Sequence, residues 1–390
     1  MGKKQTTKSQ KAIKRKRNPW LRLLIRLSVV AVVLLTFFSV WKNWEKIAPE
    51  SVLDWAAVRF GDAQVGNGFP TPMTGNSVVA MGEVNHHLTV LTDTTLEFFN
   101  NTASRVEKRQ HSFSNPALKT AGRYALTTEI GGTRFRLDTR RETVLTKDFE
   151  NRSIYTSSLL PSGMVAVVTD SASQSYLCGI QVFNARGKQV YEYQCRRYLI
   201  NNICLYPSGN GLAAVGTCSE GGALKSVLLL FDFDKEEPQE YSGTDVLLLD
   251  VNCFSSGVIS AVGDSQLWIY RPGKKEPEKV PYNGYEPAGY TATSSLAGLV
   301  LRRSGGTGES YIWTVDNGGE VWKSEGVEGR FRSASCEGNE LLVLTDSHLH
   351  TFGKKNHQQK QEVPTDSLLV TKYRNAPLLL TLSHLQRTEG

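Results

Sequence analysis

The chain has 390 residues and a formal charge of +7, but that charge is unevenly placed. The first 26 residues contribute +10 and the remaining 364 sum to −3. The basic character belongs to the leading tail, so a nucleic-acid role for the rest of the chain has no electrostatic basis.

Residues 1–19 read as a basic cytoplasmic tail. Up to Leu27 there are ten Lys and Arg, among them Lys14, Arg15, Lys16 and Arg17, and no Asp or Glu. From Trp20 to Trp41 the chain is almost wholly apolar, with no charge after Arg26. At about 1.5 Å per residue a helix of roughly 21 residues spans a hydrocarbon core of about 30 Å. This stretch is expected to cross the membrane and to meet lipid from Trp20 to Trp41. Positive charge beside a span stays inside, so the N-terminus is expected in the cytoplasm and the rest outside, in a single-pass plasma-membrane protein. The alternative is a cleaved signal peptide, whose best cleavage site, Lys46-Ile47-Ala48 before Pro49, is poor.

Residues 42–75 read as a juxtamembrane linker. Trp44, Ile47, Val52, Trp55 and Val58 could form one face of a short helix. The Gly- and Pro-rich run 66–72 is a linker, or a short strand between turns.

Residues 76–390 carry a repeat. Apolar strands end at Phe99, Leu137, Phe183, Phe231, Tyr270, Val315 and Phe352, spaced 38, 46, 48, 39, 45 and 37 residues apart. A second series runs ahead of them at 88–91, 124–126, 164–168, 212–215, 258–262, 298–301 and 341–344. Several of these strands follow turn tripeptides such as Pro161-Ser-Gly163, Pro207-Ser-Gly209 and Ser255-Ser-Gly257. A period near 40–45 with several short strands per unit signals propeller blades, which bury by stacking what one sheet cannot bury alone. Two more apolar stretches, 368–370 and 378–382, begin an incomplete eighth unit. Residues 68–75 could supply its missing outer strand. The predicted fold is therefore an all-β propeller, eight blades favoured and seven possible, on an N-terminal transmembrane helix. Two β-sandwiches are the alternative, against which the even spacing argues.

The stretch Tyr311-Ile-Trp-Thr-Val-Asp-Asn-Gly-Gly-Glu-Val-Trp-Lys323 resembles the blade repeat of pyrroloquinoline-quinone-type propellers, where a strand runs into Asp-x-x-Gly and the next ends in Trp-Lys. The basic tail, the single span, Gly66-Asn-Gly-Phe-Pro70, Leu88-Thr-Val-Leu-Thr-Asp93 and Tyr124-Ala-Leu126 together resemble an uncharacterised bacterial family of membrane-anchored propellers. That likeness implies a fold and an anchor but no activity. The regular Gly-His and Trp-Asp pairs of WD40 repeats are missing, and no cofactor-facing residues of a quinoprotein can be placed.

No phosphate-binding loop, H-E-x-x-H or G-x-S-x-G is present. His348 and His350 alternate on one strand, but no third metal ligand accompanies them, and a solvated strand face is the plainer reading. His86 and His87 would point to opposite faces of a strand. Asp232, Asp234 and Glu236 have part of a calcium-loop spacing without its glycine and distal Glu, and read as a charged hairpin tip. Asn100-Asn-Thr102 and Asn151-Arg-Ser153 match glycosylation sequons. Of the six cysteines, Cys178 and Cys195 flank the hairpin around Arg186-Gly187, and a two-residue loop there sets them opposite each other as a possible disulfide. Buried thiols are the plainer state for most of the six. The sequence thus points to no catalytic, cofactor-binding or metal site. The expected function is a protein-interaction scaffold outside the membrane. The alternatives are a sensor for a small molecule or cell-wall glycan, and then a quinoprotein-like enzyme.

Overall fold

The computed structural model describes residues 66–73, 77–303, 308–355 and 357–388, together with six positions between Trp20 and Leu35. The chain divides into two units, Met1–Phe60 and Gly61–Gly390. The predicted span lies almost entirely outside the described residues, and so does the predicted juxtamembrane helix. Among the described residues no helix is long and apolar enough to cross a membrane.

The second unit contains eight four-stranded antiparallel sheets. Blades 1 to 7 cover 78–110, 116–148, 154–195, 199–243, 248–281, 285–328 and 331–362. In each the four strands follow chain order, from the innermost to the outermost. Blade 8 takes three strands from the end of the chain, Ser367–Tyr373, Ala376–Thr381 and His384–Arg387, and its outermost strand, Thr71–Pro72, from the beginning. Thr71 pairs with Leu385 and Pro72 with His384. The Gly- and Pro-rich run ahead of the repeats is therefore a blade strand. It needs only to be short and extended, and Pro72 fits because an outer edge asks for few backbone donors.

The middle strands explain why the fold can be read. His87–Thr92, Tyr124–Glu129, Cys178–Phe183 and Ile259–Gly263 are buried at every residue. Each lies between two neighbouring sheets, so both faces are covered and the sequence runs mainly apolar, with a few buried polar residues such as Thr89 and Thr127. Outer strands such as Arg105–Gln110 and Thr143–Asp148 are largely exposed and polar. The three turn tripeptides all build one turn. Gly163, Gly209 and Gly257 stand at φ +81, +75 and +86, a region that glycine enters freely. Their N–H groups donate to the carbonyls of Leu160, Tyr206 and Phe254 at 2.9, 2.8 and 3.0 Å.

The blades are also tied to one another in sequence around the ring by hydrogen bonds. Arg109 donates to the Thr139 carbonyl between blades 1 and 2, and the Thr128 and Ser157 hydroxyls meet at 3.0 Å between blades 2 and 3. The N–H groups of Leu205 and Leu248 donate to Ser158 and Ser226 at 3.0 and 3.1 Å, joining blades 3, 4 and 5. Asn252 donates to the Thr293 carbonyl at 3.0 Å and the Cys336 N–H to Thr291 at 3.2 Å, joining blades 5, 6 and 7. The Val370 N–H reaches Ser333 at 3.4 Å, and the Arg374 N–H reaches Glu83 at 2.9 Å, completing the circle from blade 7 to 8 to 1.

One titrating group sits at the junction after blade 1. His111 Nε2–H donates to the Thr92 carbonyl at 3.1 Å, and Nδ1 accepts from the Phe113 N–H at 3.3 Å. The bond accepted by Nδ1 requires the neutral ring, and burial holds its pKa below the usual histidine value. A depressed folded pKa means the stabilisation is present above about pH 6.5 and is lost as pH falls through the lower, folded value. Unfolding free energies should therefore decline below about pH 6.5 with a component of less than one proton per molecule, absent in His111→Gln. An identical pH profile in that variant would remove His111 from the account.

Candidate functional site: a cleft between blades 4 and 5

A cavity of about 480 Å³ opens between blades 4 and 5 at the end of the ring where each innermost strand turns outward. One wall is the turn after the innermost strand of blade 4, with Tyr206 and Pro207, and the other is the matching turn of blade 5, with Phe254. Tyr270 and Pro272 close the outer side, and Cys253 lies at the floor. Tyr206 is half-buried, and burial pushes its hydroxyl well up, so it stays a neutral donor. Tyr270 leans on Tyr241 with ring centroids 5.3 Å apart, which fixes its plane.

The rim on the blade 4 side is the hairpin tip Asp232-Phe-Asp-Lys-Glu-Glu-Pro238, with four carboxylates against one lysine. Lys235 pairs with Asp232 at 2.9 Å and, with the Asp234 N–H, holds that carboxyl below its usual range. Glu237 accepts from the Tyr193 hydroxyl at 3.3 Å. Asp232, Asp234 and Glu236 thus form the charged tip that their spacing suggested. Among the described residues no group of three or more His, Cys, Asp and Glu converges as a metal site.

Behind the cleft, toward the axis, the innermost strands carry a polar relay. Thr156 donates to Asn202 Oδ1 at 3.0 Å, and Asn202 Nδ2 donates to Asp250 Oδ1 at 2.8 Å, crossing blades 3, 4 and 5. Burial pushes the Asp250 pKa up against the opposing pull of Lys119, which projects from blade 2. Tyr290 shares a hydrogen bond of 3.2 Å with Ser260, and burial raises its pKa far above the usual value.

Cys178 and Cys195 are Cα partners on adjacent strands of blade 3, both buried. The pairing is the expected one, but the loop is not. The turn runs from Asn184, whose N–H donates to Lys188 O at 3.0 Å, with Gly187 at φ +75. That shifts the register by one residue. The ladder then slips back, Val182 facing Tyr191 and Phe183 facing Gln189, and the unpaired Val190 restores the cysteine pairing. Both are thiols here, and Cys178 Sγ donates to the Tyr198 carbonyl at 3.5 Å. The neighbouring thiol holds Cys178 below the usual range and pushes Cys195 up.

Two other expectations need correction, and the chance sequon match at Asn100 has a structural role instead. His350 is 2% exposed rather than solvated, because its strand lies inside blade 7, where it stacks on Phe352. His86 is not extended: Asn85 and His86 have φ of 44° and 64° and make the hairpin turn, leaving His87 buried. Asn100 is 2% exposed, and its Oδ1 accepts from the N–H groups of Thr102 and Ser104, so it organises a turn and offers no open amide for a glycan. Asp316 does the same work in the stretch that resembles a quinoprotein repeat, accepting from the Gly318 and Glu320 N–H groups at 2.8 and 3.0 Å.

Eight closed blades with turn-built clefts define a β-propeller of the kind that presents loops on a rigid frame. The chain belongs to the family of unknown function DUF5711, whose profile matches residues 60–373. No curated protein matches the sequence. Among solved structures it is similar to the C-terminal WD40 domain of Sif2, with TM-score 0.59 and 10% identity over 83% of this chain and 99% of that one. It is also similar to BamB from Moraxella catarrhalis (TM-score 0.46, 11% identity, 81% of this chain and 99% of that one). A third likeness is apo AztD from Citrobacter koseri (TM-score 0.46, 9% identity, 74% and 86%). At such identities the likeness speaks to fold alone.

Proposed function

We propose that this protein is an interaction scaffold, held at the plasma membrane by residues 20–41 with its propeller outside, and that its seat for a protein partner is the cleft between blades 4 and 5. The observation that carries the reading is the cleft itself. Its volume of about 480 Å³ falls within the range of about 300–1,000 Å³ typical of binding pockets. Its walls are aromatic rings and prolines, which give contact area with little side-chain entropy to lose. Its rim carries excess negative charge. The matching partner is an extended segment with an aromatic or large aliphatic anchor beside lysine or arginine. The rim groups Asp232 and Glu237 already have partners, which suits recognition better than proton transfer, so the propeller is read as a binder and not an enzyme.

The test uses the full-length chain in lipid nanodiscs against a displayed peptide library. Enriched peptides should carry that anchor-plus-base pattern. Tyr206→Ala or Tyr270→Ala should weaken them about 30-fold, the equivalent of about 2 kcal/mol for an aromatic hot spot, while thermal unfolding stays cooperative. Equal binding by both variants would move the seat elsewhere, and a tightly held quinone with turnover would end the scaffold reading. Protease added to cells stripped of wall should remove the propeller and spare the tail; protection of the propeller would refute the topology.

A second reading, a small-molecule sensor, draws on the relay from Thr156 through Asn202 to Asp250 with Lys119 near it. Asp250→Asn should abolish ligand-induced thermal stabilisation under that reading and leave peptide binding alone.

A further inference from the structure

We propose that Cys204 and Cys253 are a redox pair that closes into a disulfide between blades 4 and 5, beneath the floor of the cleft. Cys204 lies on the innermost strand of blade 4, Leu199–Leu205, and Cys253 ends the innermost strand of blade 5, Leu248–Cys253. In the aligned turns that follow, Tyr206-Pro-Ser-Gly209 and Phe254-Ser-Ser-Gly257, Cys253 matches Leu205, the residue after Cys204. That one-residue offset turns the Cys253 side chain toward blade 4. It packs in the apolar layer between the two blades, together with Leu228, Val251 and Trp268, and Cys204 packs against the same layer. The Cys253 thiol donates to the Cys204 backbone carbonyl at 3.2 Å. This places one sulfur beside the Cβ-bearing backbone of the other cysteine, across an interface that the Leu248–Ser226 hydrogen bond already holds.

The chemistry of the two thiols differs in a useful direction. The Cys253 thiol, and the Lys119 ammonium behind it, favour the thiolate of Cys204, whereas burial favours the protonated form of Cys253. Cys204 is half-buried whereas Cys253, at the edge of the cleft, is only 3% exposed, so a small disulfide meets Cys204 first and Cys253 acts from within. The oxidant is a low-molecular-weight disulfide. The Cys204 thiolate attacks one of its sulfurs, forms a mixed disulfide and expels one thiolate. Cys253 then gives up its proton and attacks Cys204 Sγ, forming the Cys204–Cys253 bond and expelling the second thiolate. Two protein thiols are oxidised, one external disulfide is reduced to two thiols, and the two protons end on the leaving sulfurs. No link of this kind is readable from the sequence, because the two residues belong to different units of the repeat.

The experiment treats the full-length protein in nanodiscs with oxidised glutathione, blocks remaining thiols with N-ethylmaleimide, and maps peptides without reduction. The expected product is a linked peptide containing Cys204 and Cys253, two hydrogens lighter than its parts and separated by dithiothreitol. Cys253→Ala should instead trap glutathione on Cys204. Oxidation should raise the melting temperature of the wild type by several degrees and not that of Cys253→Ala. Recovery of both residues as maleimide adducts from the oxidised wild type would overturn the proposal, as would a link from either one to another cysteine. The wild-type map decides the matter even if a variant fails to fold. It reads a covalent bond only, so its outcome is independent of whether the cleft takes a partner.

Discussion

A chain ending at Asn375 should lose the fold of the whole propeller, not of one blade. The missing residues include Leu378, Leu379, Leu380 and Leu385, all 5% exposed or less. Leu378, Leu380 and Leu385 pack with Leu88, Val90 and Phe99 of blade 1. Leu379 packs with Leu342, Leu344 and Leu349 of blade 7. At about 2–5 kcal/mol for each buried leucine removed, the loss on the order of 8–20 kcal/mol matches or exceeds the total stability of a typical domain, about 5–15 kcal/mol. The strand Thr71–Pro72 would also lose its only partner in the sheet, leaving the exposed edges of an open ring. The expected result is an aggregating or protease-sensitive product with no cooperative melt. A truncated chain that melts like the full one would show that blade 8 does not close the ring.

Asp138→Ala should be the most damaging single polar substitution. Asp138 is 0% exposed. It accepts from Arg136 Nε at 2.6 Å, Thr143 Oγ1 at 2.6 Å and Arg109 Nη1 at 3.3 Å. Arg109 comes from the outer strand of blade 1, caps the blade 2 turn through the Thr139 and Arg140 carbonyls, and lies over the Phe98 ring at 5.5 Å. Removing the carboxylate takes the nearest counter-charge from two guanidinium groups whose side chains are only 13% exposed, leaving Arg109 the more distant Glu107 at 3.8 Å. Losing one partner of a buried ion pair costs about 3–5 kcal/mol, because the remaining charge keeps its desolvation penalty. The melting temperature should fall on the order of 5–10 °C. Asp138→Asn, which keeps the shape and one acceptor, should fall less. A loss below about 1 kcal/mol in the alanine variant would mean that water replaces the carboxylate at the blade 1–2 seam.

The residues that made the fold legible are those with both faces covered. Leu88 to Leu91, apolar but for Thr89, and Val165 to Val168, apolar throughout, are buried on both faces, so their recurrence counted the blades. Outside blade 8, where 368–370 and 68–75 marked them, the innermost and outermost strands were not legible. Tyr285–Ala292 is only half-buried along its whole length, and Arg105–Gln110 faces solvent, so neither shows a pattern distinct from a loop. The cysteine pair within blade 3 could be read because both residues share one hairpin, although the expected turn was wrong and the unpaired Val190 restored the register. The cleft could not be read. Its walls are turns from two blades, and Tyr206 faces Phe254 only once the angle between adjacent sheets is set. The burial of His350 was hidden for a related reason: alternation gives its side of the strand but not what the next blade lays against it.

The pairing of Thr71 with Leu385 also sets a timetable. During synthesis the first strand of the ring emerges long before the hairpin that receives it. Every blade can form its own sheet as it appears, but the circle stays open until the last strand is free. The final step is a contact between nearly opposite ends of the chain, the slowest kind to find by diffusion. Until then the apolar sides of blades 1 and 7 that blade 8 will cover are exposed. The newborn protein therefore passes through an incomplete ring on every round of synthesis, and any factor that shields it must act on those two blades.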